Sequence, residues 1–335
     1  MTLNNKYAIG IHVMFYEIEL LPLYVESLIN AIKTVDNKSN IFLDFKLNLS
    51  EFFEEIDTDK ITEDEILKKY NNALQPLYDI GSVNIESNTI KSDTIYTQTN
   101  YRREFNTKYS YITDMLVWGE TDSLIPKECF QVWEQVKHFM DEQKTYRYVF
   151  SFSDRKMWDS SWDVTVHEDF VNVKYNDETA MEDIKMAKSP MSIEQMNEIN
   201  EKQTEFNYIT INHPKIDGSF LTMTSDLIRS GVNIPPCLIH NDDHSLAIMA
   251  QNLCGKNFLQ IICKNILKVH ARRHPRKRLY VKGENNPRGL CGDNDKGSWW
   301  KIYKHISQQN IGTLVSNSGE RFLTETDFNN IIKNK

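Results

Sequence analysis

Glycine is scarce in this chain, 12 residues in 335, and no glycine-rich phosphate loop follows the first apolar run at 7–16. That weighs against a nucleotidyltransferase that cradles phosphates in such a loop. Cysteine is scarcer, with Cys129, Cys237, Cys254, Cys263 and Cys291 giving an odd number and no CxxC spacing. Neither a disulfide framework nor a zinc knuckle follows, and a reducing, cytoplasmic setting is expected. The N-terminus has no long apolar leader and no run of about 18 apolar residues occurs, so no membrane span is expected. Nor is there an overall positive charge: the formal net charge is −8, which argues against broad non-specific nucleic-acid binding but leaves room for a local basic groove. Internal repeats are absent as well.

Against these absences, 40% of residues are hydrophobic and 26% charged, and the 15 Tyr and 16 Phe lift the aromatic share to 11%. This is a globular composition with enough apolar material for one large α/β domain or two smaller ones. Asn, Lys, Asp and Ile are plentiful, the bias of an AT-rich, phage-like genome. The run at 7–16 has strand character, and helical spacing follows over 19–33, with Pro22 suited to a first turn. Further strands are expected at 41–47, 82–90 and 115–118, and at 149–173, with Trp158 and Trp162 close together. Helices are expected at 49–56, 62–77, starting from a Thr62 cap, and at 100–111. A helix at 126–144 is expected to turn Val132, Val136, Phe139 and Met140 to one face. The acid-rich part up to 205 reads as a helical insertion or lid. A helix at 242–253, with Leu246, Met249, Ala250 and Leu253 on one face, and a strand at 259–269 come next. The alternation predicts an open, mostly parallel sheet with helices on both faces, a Rossmann-like α/β fold whose open sheet is mixed.

The most informative stretch is Met115-Leu116-Val117-Trp118-Gly119-Glu120-Thr121-Asp122-Ser123. An apolar strand runs into two acids spaced i, i+2, at the strand end where open α/β sheets bind ligands. A divalent cation bridging a diphosphate needs hard oxygen ligands, and one or two carboxylates suffice. The competing reading is an ordinary surface turn. A second acidic pair, Asn241-Asp242-Asp243-His244, opens a helix. It reads either as plain capping or as a carboxylate placed to take a proton from a hydroxyl.

These segments and their order resemble GT-A glycosyltransferases, particularly the inverting, family-2-like group, over roughly residues 6–274. Ile9 to Tyr16 and Leu21 to Leu28 look like the family's first strand and following helix, where the resemblance implies nucleotide contacts from His12, Met14 and Tyr16. Tyr101-Arg102-Arg103-Glu104 stands where the family has a basic helix facing the donor, which implies Arg102 and Arg103 as diphosphate contacts. Glu120-Thr121-Asp122 resembles the family's Asp-x-Asp, with Glu in place of the first Asp. The resemblance implies Asp122 as metal ligand and Glu120 as a looser ribose or metal contact. Asp217-Gly218-Ser219 resembles its acceptor loop and Asp242-Asp243 its acidic pair, with Asp243 the base and Asp242 its neighbour. His270, or in competition His274, resembles the histidine that completes the metal site, for Mn²⁺ more naturally than Mg²⁺.

The stretch 264–282 carries Lys264, Lys268, Arg272, Arg273, Arg276, Lys277, Arg278 and Lys282 without an acid. Arg273 and its neighbours would neutralise a leaving diphosphate; alternatively the stretch is a solvated face, or contacts a polyanionic acceptor such as DNA. The expected organisation is a nucleotide-sugar-binding half at 1–150, an insertion at 151–210, an acceptor half at 211–282 and a C-terminal extension at 283–335. The expected activity is transfer from a nucleotide-diphosphate sugar to an acceptor hydroxyl, on a saccharide or on hydroxymethylated pyrimidines in phage DNA. The alternatives are a non-catalytic module binding carbohydrate or nucleic acid through Trp158, Trp162, Trp299 and Trp300, and a nucleotidyltransferase.

Overall fold

The computed structural model describes residues 1–49, 62–91, 94–156, 192–211, 218–270 and 295–334. Among them a nine-stranded mixed sheet forms the centre. Its first half is parallel: β1 (Tyr7–Met14) lies between β2 (Ile41–Asn48) and β4 (Met115–Gly119), and β3 (Asn84–Ile90) pairs with β2. Every residue of β1 is buried, as expected of a strand covered on both faces. The side-chain alternation of a strand divides it: Tyr7, Ile9, Ile11 and Val13 enter one core and Ala8 the other.

Helices α1 (Leu21–Ile32), α2 (Glu63–Ile80) and α4 (Cys129–Glu142) cover the first face. Helices α3 (Gln98–Tyr109), α6 (Ser225–Arg229) and α7 (Asp242–Cys254) cover the second. Pro22 lies in the first turn of α1, and Thr62 with Glu65 forms a reciprocal capping box on α2. The helix expected at 49–56 lies outside the described residues beyond Leu49. In α4, Trp133, Val132, Val136 and Met140 are buried but Phe139 is exposed, which corrects its expected placement on the apolar face. The buried stripe centres on Trp133 and Met140, and at 100° per residue Phe139 lies about 120° around the helix from Trp133. Leu253 is corrected likewise: it is exposed in the last turn of α7, while Leu246 and Ala250 are buried.

The second half of the sheet reverses direction. After the two-residue β5 (Ser123–Leu124), β6 (Tyr148–Lys156) and β8 (Thr222–Thr224) extend the sheet from β4, with β8 antiparallel to both β4 and β6. The division expected at 150/151 therefore falls inside β6. Beyond β6 runs the long β9 (Leu259–His270), parallel to it. β5 and β7 (Tyr208–Thr210) pair antiparallel along the other edge of β9. Of the expected insertion, the described part holds α5 (Ile193–Asn200). Trp158 and Trp162 lie outside the described residues.

At the C-terminus, α8 (Asp295–Ser316) and α9 (Glu325–Lys333) bury Tyr303, Ile306 and Phe328 against Ile95 and Cys237, with Trp299 and Trp300 partly buried beside them. Those two tryptophans thus pack into a satellite core. Among the described residues no helix is long and apolar enough to cross a membrane.

Candidate active site

Helix α3 starts at a Thr97–Asn100 capping box and lies close on β1. A Cβ at Gly10 would sit 2.6 Å from the Phe105 ring and 2.7 Å from the Tyr101 hydroxyl, so this close approach requires glycine. The contact sets where the next residue on α3, Arg102, points. Arg102 is 3% exposed, and its guanidinium lies over the Trp118 ring, 4.7 Å from the centroid, a cation–π geometry.

Three segments far apart in sequence meet at that guanidinium. Nη2 donates to Glu120 Oε1 at 2.9 Å and to the Gly218 carbonyl at 2.7 Å, and Nη1 donates to Asp242 Oδ2. Gln98 Nε2 donates to the same Glu120 oxygen at 3.0 Å. Burial alone would weaken the charge of Arg102, but Asp242 and Glu120 more than offset it and its pKa is raised. Asp243 completes the cluster. A Cβ built at Gly218 would stand 3.0 Å from Arg102 Nη1, 3.2 Å from Asp243 Cβ and 3.3 Å from Asp243 Oδ2. The acidic motif, the Arg102 helix, the Gly218 loop and the Asp242–Asp243 pair therefore form one constellation.

The start of α7 is unusual. Asn241 has a left-handed backbone, φ 64°, and its side chain makes no capping hydrogen bond. Asp243 Oδ1 instead accepts from the adjacent His244 N–H at 2.7 Å, and Asp242 binds Arg102. Local capping, one of the two readings of this pair, does not account for Asp242.

Asp122 lies two residues beyond Glu120 and is 3% exposed. The preceding Thr121 donates through its hydroxyl to Glu17 Oε2 at 3.2 Å, and Glu17 is itself buried. The β5–β9 ladder sets Ser123 opposite His270 and Leu124 opposite Val269. The backbone of His270 is thereby brought beside the residue that follows Asp122. The side chain of His270 lies outside the described residues, as do the side chain of Tyr16 and all of Asp217, Arg273 and His274. Among the described residues no group of three or more His, Cys, Asp or Glu side chains forms a metal-holding cluster.

The remaining expected contacts separate. Arg103 turns away from Arg102 and donates through Nε to the Ile234 carbonyl at 3.1 Å. His12 is 5% exposed and stacks on Tyr101 at 5.5 Å between centroids. Neither of its ring nitrogens has a hydrogen-bond partner among the described residues. Burial first, then the charges of Arg102 and Lys46, lowers its pKa from 6.5 to about 3, so the imidazole is neutral. Met14 is buried at the end of β1, where Asn48 Nδ2 approaches its sulfur at 3.9 Å.

Lys268, expected within a basic stretch, is 1% exposed and donates to the Ser219 hydroxyl. The solvated-face reading is wrong for this lysine. Its burial follows from its place on β9 between β6 and β5, a pairing that charge composition does not reveal. Residues 271–282 of the stretch lie outside the described residues. Sequence reasoning missed Gln98 and Glu17 as members of this region. Trp118 and Ser219 were named within the strand-end motif and the acceptor loop, without a role for their side chains.

No family model matches this sequence, and no curated protein matches it. Solved structures similar to the chain include a UDP-glucose pyrophosphorylase complexed with UDP-glucose, at TM-score 0.34 and 9% identity, covering 83% of this chain and 99% of that one. Another is the WbbM bifunctional glycosyltransferase, at TM-score 0.30 and 10% identity, covering 75% of this chain and 34% of that one. A third is a mannose-1-phosphate geranyltransferase from Thermus thermophilus, at TM-score 0.32 and 9% identity, covering 77% of this chain and 74% of that one. At TM-scores this low, these likenesses carry no part of the functional argument.

Proposed function

We propose that this protein is a glycosyltransferase that moves a sugar from a nucleotide-diphosphate sugar to an acceptor hydroxyl, with inversion at the transferred carbon. One observation carries the reading. Glu120, just beyond the carboxyl end of β4, the Gly218 carbonyl and Asp242 at the start of α7 meet at the Arg102 guanidinium, with Asp243 against Gly218; in this reading Asp122, two residues beyond Glu120, belongs to the same site. Ligands of open α/β sheets bind at the carboxyl ends of strands. In this reading Asp243 is the general base. It accepts the acceptor's hydroxyl proton as that oxygen attacks the anomeric carbon.

A divalent cation is part of this reading. Asp122 contributes a buried carboxylate, and the register of β5 on β9 brings the backbone of His270 opposite Ser123, the residue that follows it. An oxygen and imidazole donor pair suits Mn²⁺. Asp122 and His270 would hold the ion, which when bound supplies positive charge to the departing diphosphate. Glu120 Oε1 is engaged by Arg102 and Gln98, so Glu120 belongs to the frame of the site. His12 and Met14, at the end of β1, line the nucleotide side.

The test is a screen of UDP-, GDP-, ADP- and dTDP-sugars for slow hydrolysis, with and without Mn²⁺ or Mg²⁺ and with product identification. Glycosyl transfer releases a nucleoside diphosphate. Conversion of sugar nucleotide and added pyrophosphate to a nucleoside triphosphate and a sugar 1-phosphate would identify a nucleotidyltransferase instead. Nucleotide binding with no turnover and no metal dependence would identify a binding module. The active donor can then be offered to saccharides and to hydroxymethylated DNA.

A further inference from the structure

We propose that Arg102 is a positioning residue for the base Asp243 and not a ligand of the donor's phosphates. The inference rests on the glycosyl-transfer reading for its catalytic consequence, and on geometry for its structural one.

A buried arginine beside a site for a diphosphate invites assignment as a phosphate ligand. Three of its five N–H donors are committed to protein acceptors. Nη1 is on Asp242, Nη2 is shared by Glu120 and the Gly218 carbonyl, and the face of the guanidinium lies on Trp118. An anion brought to this group would meet the carboxylates of Asp242 and Glu120 first. The planar fork therefore has a different use: it fixes the relative positions of the three segments it touches.

The place of Asp243 depends on the partners of Arg102. Asn241 launches α7 from a left-handed backbone without a side-chain cap, so the Asn241 side chain does not set the helix start. The anchor is Asp242 on Arg102. Gly218, held by the same guanidinium, lies against Asp243. Asp243 is thus positioned from both sides.

The C-terminal helices brace both ends of this bridge. Tyr303 donates to Asn100 Oδ1 at 2.9 Å and Asn100 Nδ2 donates to Glu325 Oε1 at 2.8 Å, which holds the first turn of α3. Asn310 Nδ2 donates to the Pro236 carbonyl at 2.7 Å, and Ile239 N–H donates to the Ser307 hydroxyl at 3.3 Å, which holds the segment leading to Asp242.

The experiment uses the full chain as wild type, Arg102→Ala, Arg102→Lys and Asp242→Asn. Three quantities are read: exchange of the His244 amide, which donates to Asp243; kcat and KM for hydrolysis of UDP-glucose, GDP-mannose and dTDP-glucose; and restoration of Arg102→Ala by millimolar guanidinium. For Arg102→Ala, kcat is expected to fall about 100-fold while KM stays within about threefold, as a misplaced catalytic group requires. Guanidinium should restore part of that loss. The His244 amide should exchange about tenfold faster in Arg102→Ala and Asp242→Asn, in line with a local opening made easier. Arg102→Lys, which keeps charge but loses the fork, should resemble Arg102→Ala in kcat. If Arg102→Ala does not fold, Arg102→Lys and Asp242→Asn give the same comparison. A rise in KM of about tenfold with kcat kept, or His244 exchange unchanged in both Arg102→Ala and Asp242→Asn (or in Arg102→Lys and Asp242→Asn), would overturn the inference. If the wild type hydrolyses none of the donors, the glycosyl-transfer reading loses its support, and the His244 exchange alone still decides whether Arg102 positions Asp243.

Discussion

Arg102, which is buried, and Asp242, which is partly buried, 140 residues apart in sequence, form an ion pair that joins the helix behind the acidic motif to the helix that carries Asp243. Breaking a buried pair from one side leaves the other charge uncompensated. Arg102→Met is expected to lose about 3–5 kcal/mol of stability. Asp242→Asn retains a hydrogen-bond acceptor and should lose less, about 1–3 kcal/mol. Urea denaturation of the two variants checks both the magnitudes and their order.

Gly218→Ala separates function from stability. The added methyl would stand 3.0 Å from Arg102 Nη1 and 3.2 Å from Asp243 Cβ, so the neighbours must yield by a few tenths of an ångström. The expected cost is about 1 kcal/mol in stability, at the low end for an overpacked site, with donor turnover down at least about tenfold because Asp243 shifts. Gly10→Ala makes the opposite case. Its methyl would meet the Phe105 ring at 2.6 Å, and a stability loss of about 1–3 kcal/mol is expected. Denaturation midpoints and turnover, measured on the same preparations, check both.

How these residues meet was only partly legible in the sequence. The apolar run of β1, the Thr62 cap of α2 and the strand ending just before Glu120 were readable because each is a local pattern. The position of Asp242–Asp243 at a helix start was readable too. Arg102 and Arg103 were not separable, since adjacent helical residues point about 100° apart and only the packing of Tyr101 and Phe105 on β1 decides which one turns inward. The three-residue β8, Thr222-Met223-Thr224, is too short for an alternation signal, yet its antiparallel insertion between β4 and β6 reverses the sheet. The burial of Lys268 and the nearness of His270 to the acidic motif both come from β9 pairings with strands far away in sequence. Asn241 shows the reverse failure: its residue type suggests a cap, and its backbone gives it another role.

His12 predicts an acid-side weakness of the fold. Its pKa is lowered from 6.5 to about 3, by burial first and then by Arg102 and Lys46. Between these values the unfolded chain binds a proton that the folded chain does not. The contribution of this group to stability therefore falls as pH drops below about 6.5, by up to about 1.4 kcal/mol per pH unit, and levels off near pH 3. His12→Phe removes the titrating group and should show a shallower decline over that window. Unfolding free energies of both proteins from about pH 7 to about pH 4, inside that window, check the slope; parallel curves would contradict it.

The central claim is that Asp243 acts as base at a site that Asp122 helps to form. It is tested most directly by the rate of nucleoside diphosphate release at saturating donor and Mn²⁺, in wild type, Asp122→Ala and Asp243→Asn. General-base catalysis is worth about 10²–10⁴-fold, so Asp243→Asn should lose at least about 100-fold in that release while still binding nucleotide. Asp122→Ala should lose both turnover and the response to Mn²⁺. Wild-type rates in both variants would contradict the account.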